Sequence, residues 1–167
     1  RAMRTQYDGS GWRMRAERRR AREAAMRALY QADLSGCAAE WAVQCALEQS
    51  QDLELTEQGK SFAAQLVRGS CEHKREIDSI MAEVAHDWSI GRMSPTDRNI
   101  MRIAVYEMLY LEDVPIASSI DEAVEIAKVY GSADSPRFVN GILGSLAERL
   151  RRQPAGGQEE GGSDTAR

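Results

Sequence analysis

The chain has 167 residues, of which 22 are Lys or Arg and 26 are Asp or Glu, so that its formal charge is −4. Because domains usually span roughly 100 to 200 residues, we expect one domain and exclude a two-domain enzyme of the dehydrogenase or methyltransferase type. No apolar run approaches the ~18 residues that span a bilayer, and the three cysteines lack Cys-x-x-Cys spacing, so we expect a cytoplasmic protein without a metal site, a cofactor or a disulfide framework.

Both ends of the chain lack a pattern that could build a core. Residues 1–13 contain Gly and Ser without an apolar period, and we interpret them as a flexible leader that need not be native. Residues 153–167 are rich in Gly and acidic residues and are predicted to be a disordered tail. The predicted domain therefore spans residues 14–152.

Helical periods fill the first half of this domain. An Ala-rich period predicts a first helix that ends near Ser35 and Gly36, where Gly supplies a left-handed cap. A second, shorter helix is predicted over residues 41–47. The apolar positions from 62 to 88 predict either one long helix or two helices that break within residues 69–73.

The second half begins with a clear helix start. Ser94 is suited to cap a helix, and Pro95 fits the first helical position. Val114-Pro115 interrupts this helix, the next one runs to Gly131, and the last begins near residues 134–136. Since no segment alternates as strands do, we predict an all-α fold of six or seven helices in two small subbundles.

No catalytic constellation is present in the sequence. The run Gly59-Lys60-Ser61 ends like a phosphate-binding loop, but Glu54 stands where that loop requires Gly. The patterns Gly-x-Gly-x-x-Gly, His-Glu-x-x-His and Gly-x-Ser-x-Gly are absent. We therefore expect a binding protein and not an enzyme.

The basic side of the first helix carries the clearest functional signal. Residues 1–27 hold nine Arg against three acidic residues, a net charge of +6, whereas the rest of the chain carries −10. At 100° per residue, four of these side chains share one arc beside the Ala face: Arg15, Arg18, Arg19 and Arg22. Like charges at this spacing repel each other, so the arc indicates a polyanionic ligand, the alternative being a solvated basic face.

Position and aromatic content favour RNA over DNA. Readers of duplex DNA usually carry their basic residues on the second helix of a helix-turn-helix, whereas here they lie on the opening helix. Tyr30 follows Arg19 by close to three turns and is equally an edge of the core or a ring on which an unpaired base stacks. Single-stranded RNA is therefore the favoured ligand.

The chain resembles the NusB family in segments that keep their order and spacing. These are RRRARE at 18–23, ALY at 28–30, RIAVYE at 102–107, DVP at 113–115, DEAVEIAK at 121–128 and DSPRFVNGIL at 134–143. The resemblance implies a transcription antitermination factor that binds single-stranded boxA RNA of nascent ribosomal transcripts. The implied partners are NusE, a small-subunit ribosomal protein, and NusA, NusG and RNA polymerase in the larger complex.

The resemblance also implies functional residues. The family's arginine-rich RNA-binding motif corresponds to Arg18, Arg19, Arg20 and Arg22. Tyr30 matches a tyrosine on the RNA surface, Asp134 and Phe138 match positions that approach boxA, and Asp97 matches an acidic position on the NusE-facing side. Asp134 is equally a helix N-cap, and Phe138 is equally a core residue.

Two other functions stay open at this stage. One is an RNA-guide domain of a ribosomal RNA cytosine methyltransferase, which needs a following cofactor domain and is tested by reading the gene downstream of Arg167. The other is a homodimeric interaction protein whose Arg helix packs on acidic patches.

The sequence further predicts that replacing Arg18 and Arg22 by Ala weakens RNA binding without unfolding the helices. It also predicts that Gly141 and Gly144 permit close approach of a neighbour.

Overall fold

The computed structural model describes residues 10–153, which form seven α-helices and a 3-10 turn, with no strand in this range. The helices are α1 (Ser10–Ser35), α2 (Ala39–Asp52), α3 (Glu57–Glu72), α4 (Lys74–Val84), α5 (Pro95–Tyr110), α6 (Ile116–Tyr130) and α7 (Ser135–Arg152), and the turn is Ile90–Arg92. Helices α1 to α3 pack on one another and α4 to α7 form a second group, which confirms the predicted all-α fold with two subbundles. None of the described helices is long and apolar enough to cross a membrane.

The ends of α1 differ in how closely they follow the prediction. The helix begins at Ser10, so the last four residues of the predicted leader are helical. It ends at Ser35, and Gly36 adopts the predicted left-handed conformation with a φ of 69°. The Gly36 N–H donates to the carbonyl of Ala32 at 2.9 Å, which closes the last turn. The remainder of the leader and most of the predicted tail lie outside the described residues.

The internal helix boundaries follow local signals. α2 has 14 residues and extends beyond the predicted 41–47, because its polar second half is still anchored by buried Ser50. The break between α3 and α4 falls at His73, inside the predicted interval. At the start of α5 the Ser94 hydroxyl accepts a hydrogen bond from the Asp97 N–H at 3.0 Å, as the capping pattern predicts.

α5 is the helix that joins the two subbundles, since it packs against α1 and α3 as well as α4, α6 and α7. Its residues 99–107 are all buried. One close approach depends on a glycine, because a Cβ at Gly69 of α3 would overlap the phenol ring of Tyr106 on α5. The Tyr106 ring can therefore pack directly against the backbone of α3.

A partly buried ionic network links the end of α1 to α5. The Asp33 carboxylate accepts hydrogen bonds from Arg98 at 2.5 Å, Asn99 at 3.0 Å and Arg102 at 3.1 Å. Arg102 also donates to both oxygens of Asp78 on α4, at 2.7 and 2.9 Å. Burial alone would raise the pKa of Asp33, but the hydrogen bonds and positive charges of these partners hold it below its usual value.

We expect acid to weaken the fold through this network. Since the pKa of Asp33 in the folded chain lies below its usual 3.8, the carboxylate contributes stability above that pH. The contribution is lost as the pH falls through the lower folded value. Urea unfolding at a series of pH values should show this loss in the wild type and a smaller one in Asp33→Asn. Parallel profiles for the two proteins would remove Asp33 as the cause.

Candidate nucleic-acid interface

The packing of α1 divides the predicted RNA-binding arginines, which are the basic arc and Arg20 of the family motif. Arg15 and Arg20 are exposed, Arg18 and Arg19 are half-buried, and Arg22 is buried. α1 is 26 residues long and packs against α2 and α3 as well as α5 and α6. Only part of the arc is therefore open to a ligand.

Arg18 lies over an aromatic ring. Its guanidinium carbon is 4.8 Å from the centre of the Phe62 ring on α3, a cation–π contact that orients the side chain. One guanidinium nitrogen is 3.5 Å from the carboxylate of Asp113, which is 71% exposed. Because that ion pair is long and solvated, it holds Arg18 only weakly.

Arg19 is held by Glu122 on α6. Its Nε and Nη2 donate to the two carboxylate oxygens at 2.6 and 3.0 Å. This hydrogen bond raises the pKa of Arg19 above its usual value, although burial opposes the shift. The Arg19 side chain remains 42% exposed, so the ion pair faces solvent and a phosphate can reach it.

Arg22 belongs to the interior. Its Nε and Nη2 donate to the two oxygens of Glu107 on α5 at 2.6 and 3.3 Å, and the Ser119 hydroxyl on α6 donates to the same carboxylate at 2.6 Å. The predicted exposure of Arg22 is therefore wrong, since its side chain is only 6% exposed. A helical projection shows which side chains share a face, but it cannot show that α5 and α6 cover this one.

A groove of about 300 Å³ lies between the beginnings of α1 and α6. Arg15, Arg18 and Ser118 line it together with the acidic residues Asp121 and Glu122. Glu122 is already neutralised by its ion pair, and α6 has neither an acidic residue in its first turn nor a side-chain cap. The groove therefore combines three arginines, Arg15, Arg18 and the ion-paired Arg22, with the positive end of a helix, which is an environment suited to a phosphate.

Tyr30 lies toward the other end of α1 and is half-buried. One turn before it, Arg27 donates to the hydroxyl of Tyr130 at 2.6 Å and lies 5.3 Å from the centre of that ring. Tyr130 is the last residue of α6, four residues before Asp134. The Arg27–Tyr130 contact thus brings the part of α1 that carries Tyr30 toward the start of α7.

The start of α7 exposes one predicted residue and half-buries the other. Asp134 precedes the helix and is exposed, and its carboxylate makes no capping hydrogen bond, so the structure does not show the alternative role as an N-cap. Phe138 packs on the main core, and its ring centre lies 5.6 Å from that of Trp88 in an edge-to-face arrangement. The structure thus shows the core packing of Phe138, and the half-buried ring leaves part of its surface open.

The remaining predicted residues are Asp97, which is buried, and Gly141 and Gly144, which are exposed. Asp97 is only 7% exposed, and one carboxylate oxygen has no hydrogen-bond partner among the described residues. Gly141 and Gly144 lie on the exposed side of α7, where a Cβ at either position would meet nothing within 4 Å. The expected close approach of a neighbour at these glycines is therefore wrong for residues 10–153.

Sequence reasoning missed four residues that shape this surface: Phe62, Glu107, Glu122 and Trp88. A signal existed for Glu107, because a lone carboxylate within the apolar run of α5 needs a buried cation. The other three had no such signal, since an acidic residue on a helix surface, a ring on a helix or a ring in a loop fits many positions.

Comparisons with known proteins agree with this fold. Residues 19–148 match the NusB family. A relative from Symbiobacterium thermophilum, the transcription antitermination protein NusB, is 44% identical over 139 residues, which cover 80% of this chain and 91% of the relative. Likewise, the transcription antitermination protein NusB of Bacillus cereus (strain B4264) is 42% identical over 134 residues, covering 80% of this chain and 99% of the relative.

Two solved structures extend the comparison. The structure of T. maritima NusB has a TM-score of 0.71 and 38% identity, covering 78% of this chain and 90% of its own. A chain in the crystal structure of antitermination factors NusB and NusE in complex with dsRNA has a TM-score of 0.70 and 27% identity, covering 80% of this chain and 97% of its own. The chain therefore belongs to the NusB family of transcription antitermination proteins.

Proposed function

We propose that this protein binds the boxA element of nascent ribosomal RNA together with NusE and, with NusA and NusG, acts on RNA polymerase in the cytoplasm. It makes and breaks no covalent bond in this role. Family membership supports antitermination, and the similar chain solved with NusE and dsRNA supports an RNA and a protein partner. In this proposal Arg15, Arg18, Arg19 and Arg20 contact phosphates.

The observation that carries the proposal is the accessibility of the basic end of α1. Arg15 and Arg20 are exposed, and Arg18 is weakly held at 3.5 Å by an exposed carboxylate. Exposed ion pairs contribute about 0–1 kcal/mol each, so exchanging a carboxylate for a phosphate costs little. Release of the counterions condensed on RNA then favours binding.

The remaining predicted residues have separate roles in this proposal. Tyr30, Asp134 and Phe138 contact bases. Aromatic rings stack on unpaired bases and carboxylates accept hydrogen bonds from them, whereas neither group favours a phosphate. Asp97, at the first turn of α5, lies on the side that contacts NusE, as the family resemblance implies.

We expect the affinity for single-stranded boxA RNA to depend on salt through the arginines of α1. Four engaged phosphates give a slope of log affinity against log salt of about −3 for a single strand. Arg15→Ala combined with Arg18→Ala should lower the affinity and reduce the slope to about −1.5, since each lost phosphate contact removes about 0.7. Fluorescence anisotropy at several salt concentrations, with and without NusE, measures both quantities.

The matched control is Arg68→Ala combined with Arg75→Ala, two exposed arginines on α3 and α4. This variant changes the net charge by the same amount but should keep the wild-type slope. If both double variants shift the slope equally, the RNA responds to total charge and the proposed phosphate site on α1 is refuted.

One observation favours the homodimeric interaction protein as a second candidate. Arg19 and Arg22 are paired with Glu122 and Glu107 of the same chain, so part of the basic side already satisfies its charges without RNA. This candidate expects a dimer and no RNA complex whose affinity depends on salt. A titration that is flat in salt, together with a dimer in sedimentation, would favour it over RNA binding.

A further inference from the structure

A second open surface lies where the end of α4 and the following loop meet the first half of α7. It encloses about 500 Å³ and is lined by Trp88, Asp134, Arg137, Phe138 and Gly141, among others. Neither Trp88 nor Gly141 is among the residues that the sequence predicts to bind RNA. We name the space between the Trp88 ring and the Gly141 backbone the Trp88 shelf.

The Trp88 ring is more exposed than is usual for a large apolar side chain. It is 52% exposed, although indole is a large apolar group, and its contact with Phe138 fixes it in an edge-to-face arrangement. Phe138 packs on the main core, so the shelf ring is anchored to the interior and presents open aromatic surface. A fixed, exposed aromatic ring loses little side-chain entropy when a planar group stacks on it.

The residue that lines the shelf beside this ring is Gly141. Gly141 is exposed in the middle of α7, where glycine lowers helix stability by about 1 kcal/mol relative to Ala. A Cβ at this position would meet nothing within 4 Å, so packing inside residues 10–153 does not require the glycine. Its effect on the surface is to leave room for a flat group next to Trp88.

The polar groups of the shelf select the kind of group that fits. Asp134 and Asp87 supply two carboxylates and Arg137 one guanidinium, and none of these forms an ion pair with another described residue. An excess of negative charge disfavours a phosphate. A carboxylate does accept hydrogen bonds from the amino group of a base, while the Trp88 ring stacks on the face of that base.

We propose that the Trp88 shelf binds one unpaired nucleobase that carries an exocyclic amino group, stacked on Trp88 and hydrogen-bonded to Asp134. This inference rests on the proposed RNA-binding function and adds Trp88 and Gly141 to the residues that contact RNA. The strand then has its phosphates at the beginning of α1 and one base at α7.

Trp88 fluorescence reports the contact directly. The chain contains three tryptophans, and the other two, Trp12 and Trp41, are exposed, so Trp12→Phe with Trp41→Phe leaves Trp88 as the single reporter without a buried change. Single-stranded boxA RNA should quench this protein. In a series of RNAs that each carry one abasic nucleotide at a different position, only one position should abolish the quenching.

Affinity measurements test the shelf itself. Trp88→Ala should weaken RNA binding by about 5- to 150-fold, the range covered by stacking of one base, and Trp88→Phe should restore part of it. Gly141→Leu should weaken binding similarly because it fills the shelf, while it suits a helix better than Gly does. Gly144→Leu is the matched control, since Gly144 is equally open and lies one turn further along α7 but does not line the shelf.

The outcomes separate this inference from the proposed function. If Trp88→Ala and Gly141→Leu bind RNA as the wild type does while Arg15→Ala with Arg18→Ala weakens binding, the base site is overturned and RNA binding stands. If Gly141→Leu weakens only the binding of NusE without RNA, the shelf is a protein contact and the inference is equally overturned. A wild-type chain that binds no single-stranded RNA refutes both.

Discussion

Arg22→Ala should lower the free energy of unfolding by about 3–5 kcal/mol, because it leaves the Glu107 carboxylate buried without its cation. Glu107 is 1% exposed, and its other hydrogen bond comes from the neutral hydroxyl of Ser119. A water molecule that enters the space can donate a hydrogen bond to the carboxylate but cannot supply the lost positive charge. Urea unfolding followed by circular dichroism measures the change.

Two controls define the cause of this loss. Arg18→Ala removes an equal charge from a half-exposed position of the same helix and should change stability by about 1 kcal/mol or less. Arg22→Met combined with Glu107→Gln removes both buried charges and keeps an acceptor for Ser119, so most of the stability should return. A single Arg22→Ala variant as stable as the wild type would disprove the account.

This result changes how RNA-binding variants are interpreted. A combined Arg18→Ala and Arg22→Ala variant was expected from the sequence to keep its helices, because both side chains were placed on an exposed face. The structure instead predicts that its loss of RNA binding would follow from unfolding. Arg15→Ala with Arg18→Ala avoids the buried pair and tests the surface alone.

Gly69→Ala should destabilise the protein by about 1–3 kcal/mol even though Ala favours helices. The new Cβ would overlap the phenol ring of Tyr106. That ring is 8% exposed and stacks with Tyr110 at 5.5 Å between ring centres, so it cannot move aside without disturbing the contact between α3 and α5. Thermal unfolding gives the difference between the two proteins.

At an open glycine the same substitution should stabilise the protein. Gly144→Ala, on the exposed side of α7, should stabilise the protein by about 0.5–1 kcal/mol, since the added Cβ meets no neighbour and lowers the entropy of the unfolded chain. A stabilising effect at both positions would mean that Tyr106 relaxes freely and that the close packing of α3 and α5 is not required.

Local signals account for much of the fold that could be predicted. The Ser94 cap, the left-handed Gly36 and the break near His73 each depend on a few neighbouring residues, and all three are present in the structure. The length of α2 was underestimated because its polar second half has no apolar period, although the buried Ser50 keeps it helical. Tertiary packing extended this helix beyond its sequence pattern.

The candidate site could be predicted only in part. The sequence identified the basic helix and, through the family resemblance, the start of α7. It could not separate Arg22 from Arg18, because the two residues are one turn apart and have the same side chain. Trp88 was also missed as a functional residue, since the exposure of a ring in a loop depends on which helix it meets.

The sequence by itself determined the helices, their caps and the concentration of positive charge on α1, because these properties arise from residues a few positions apart. The tertiary structure alone decided which arginines are open to a ligand. That outcome depends on Glu107 and Glu122, which lie 85 and 103 residues from the arginines they bind. Contacts at such separations form only when α5 and α6 pack against α1, and no local pattern encodes that arrangement.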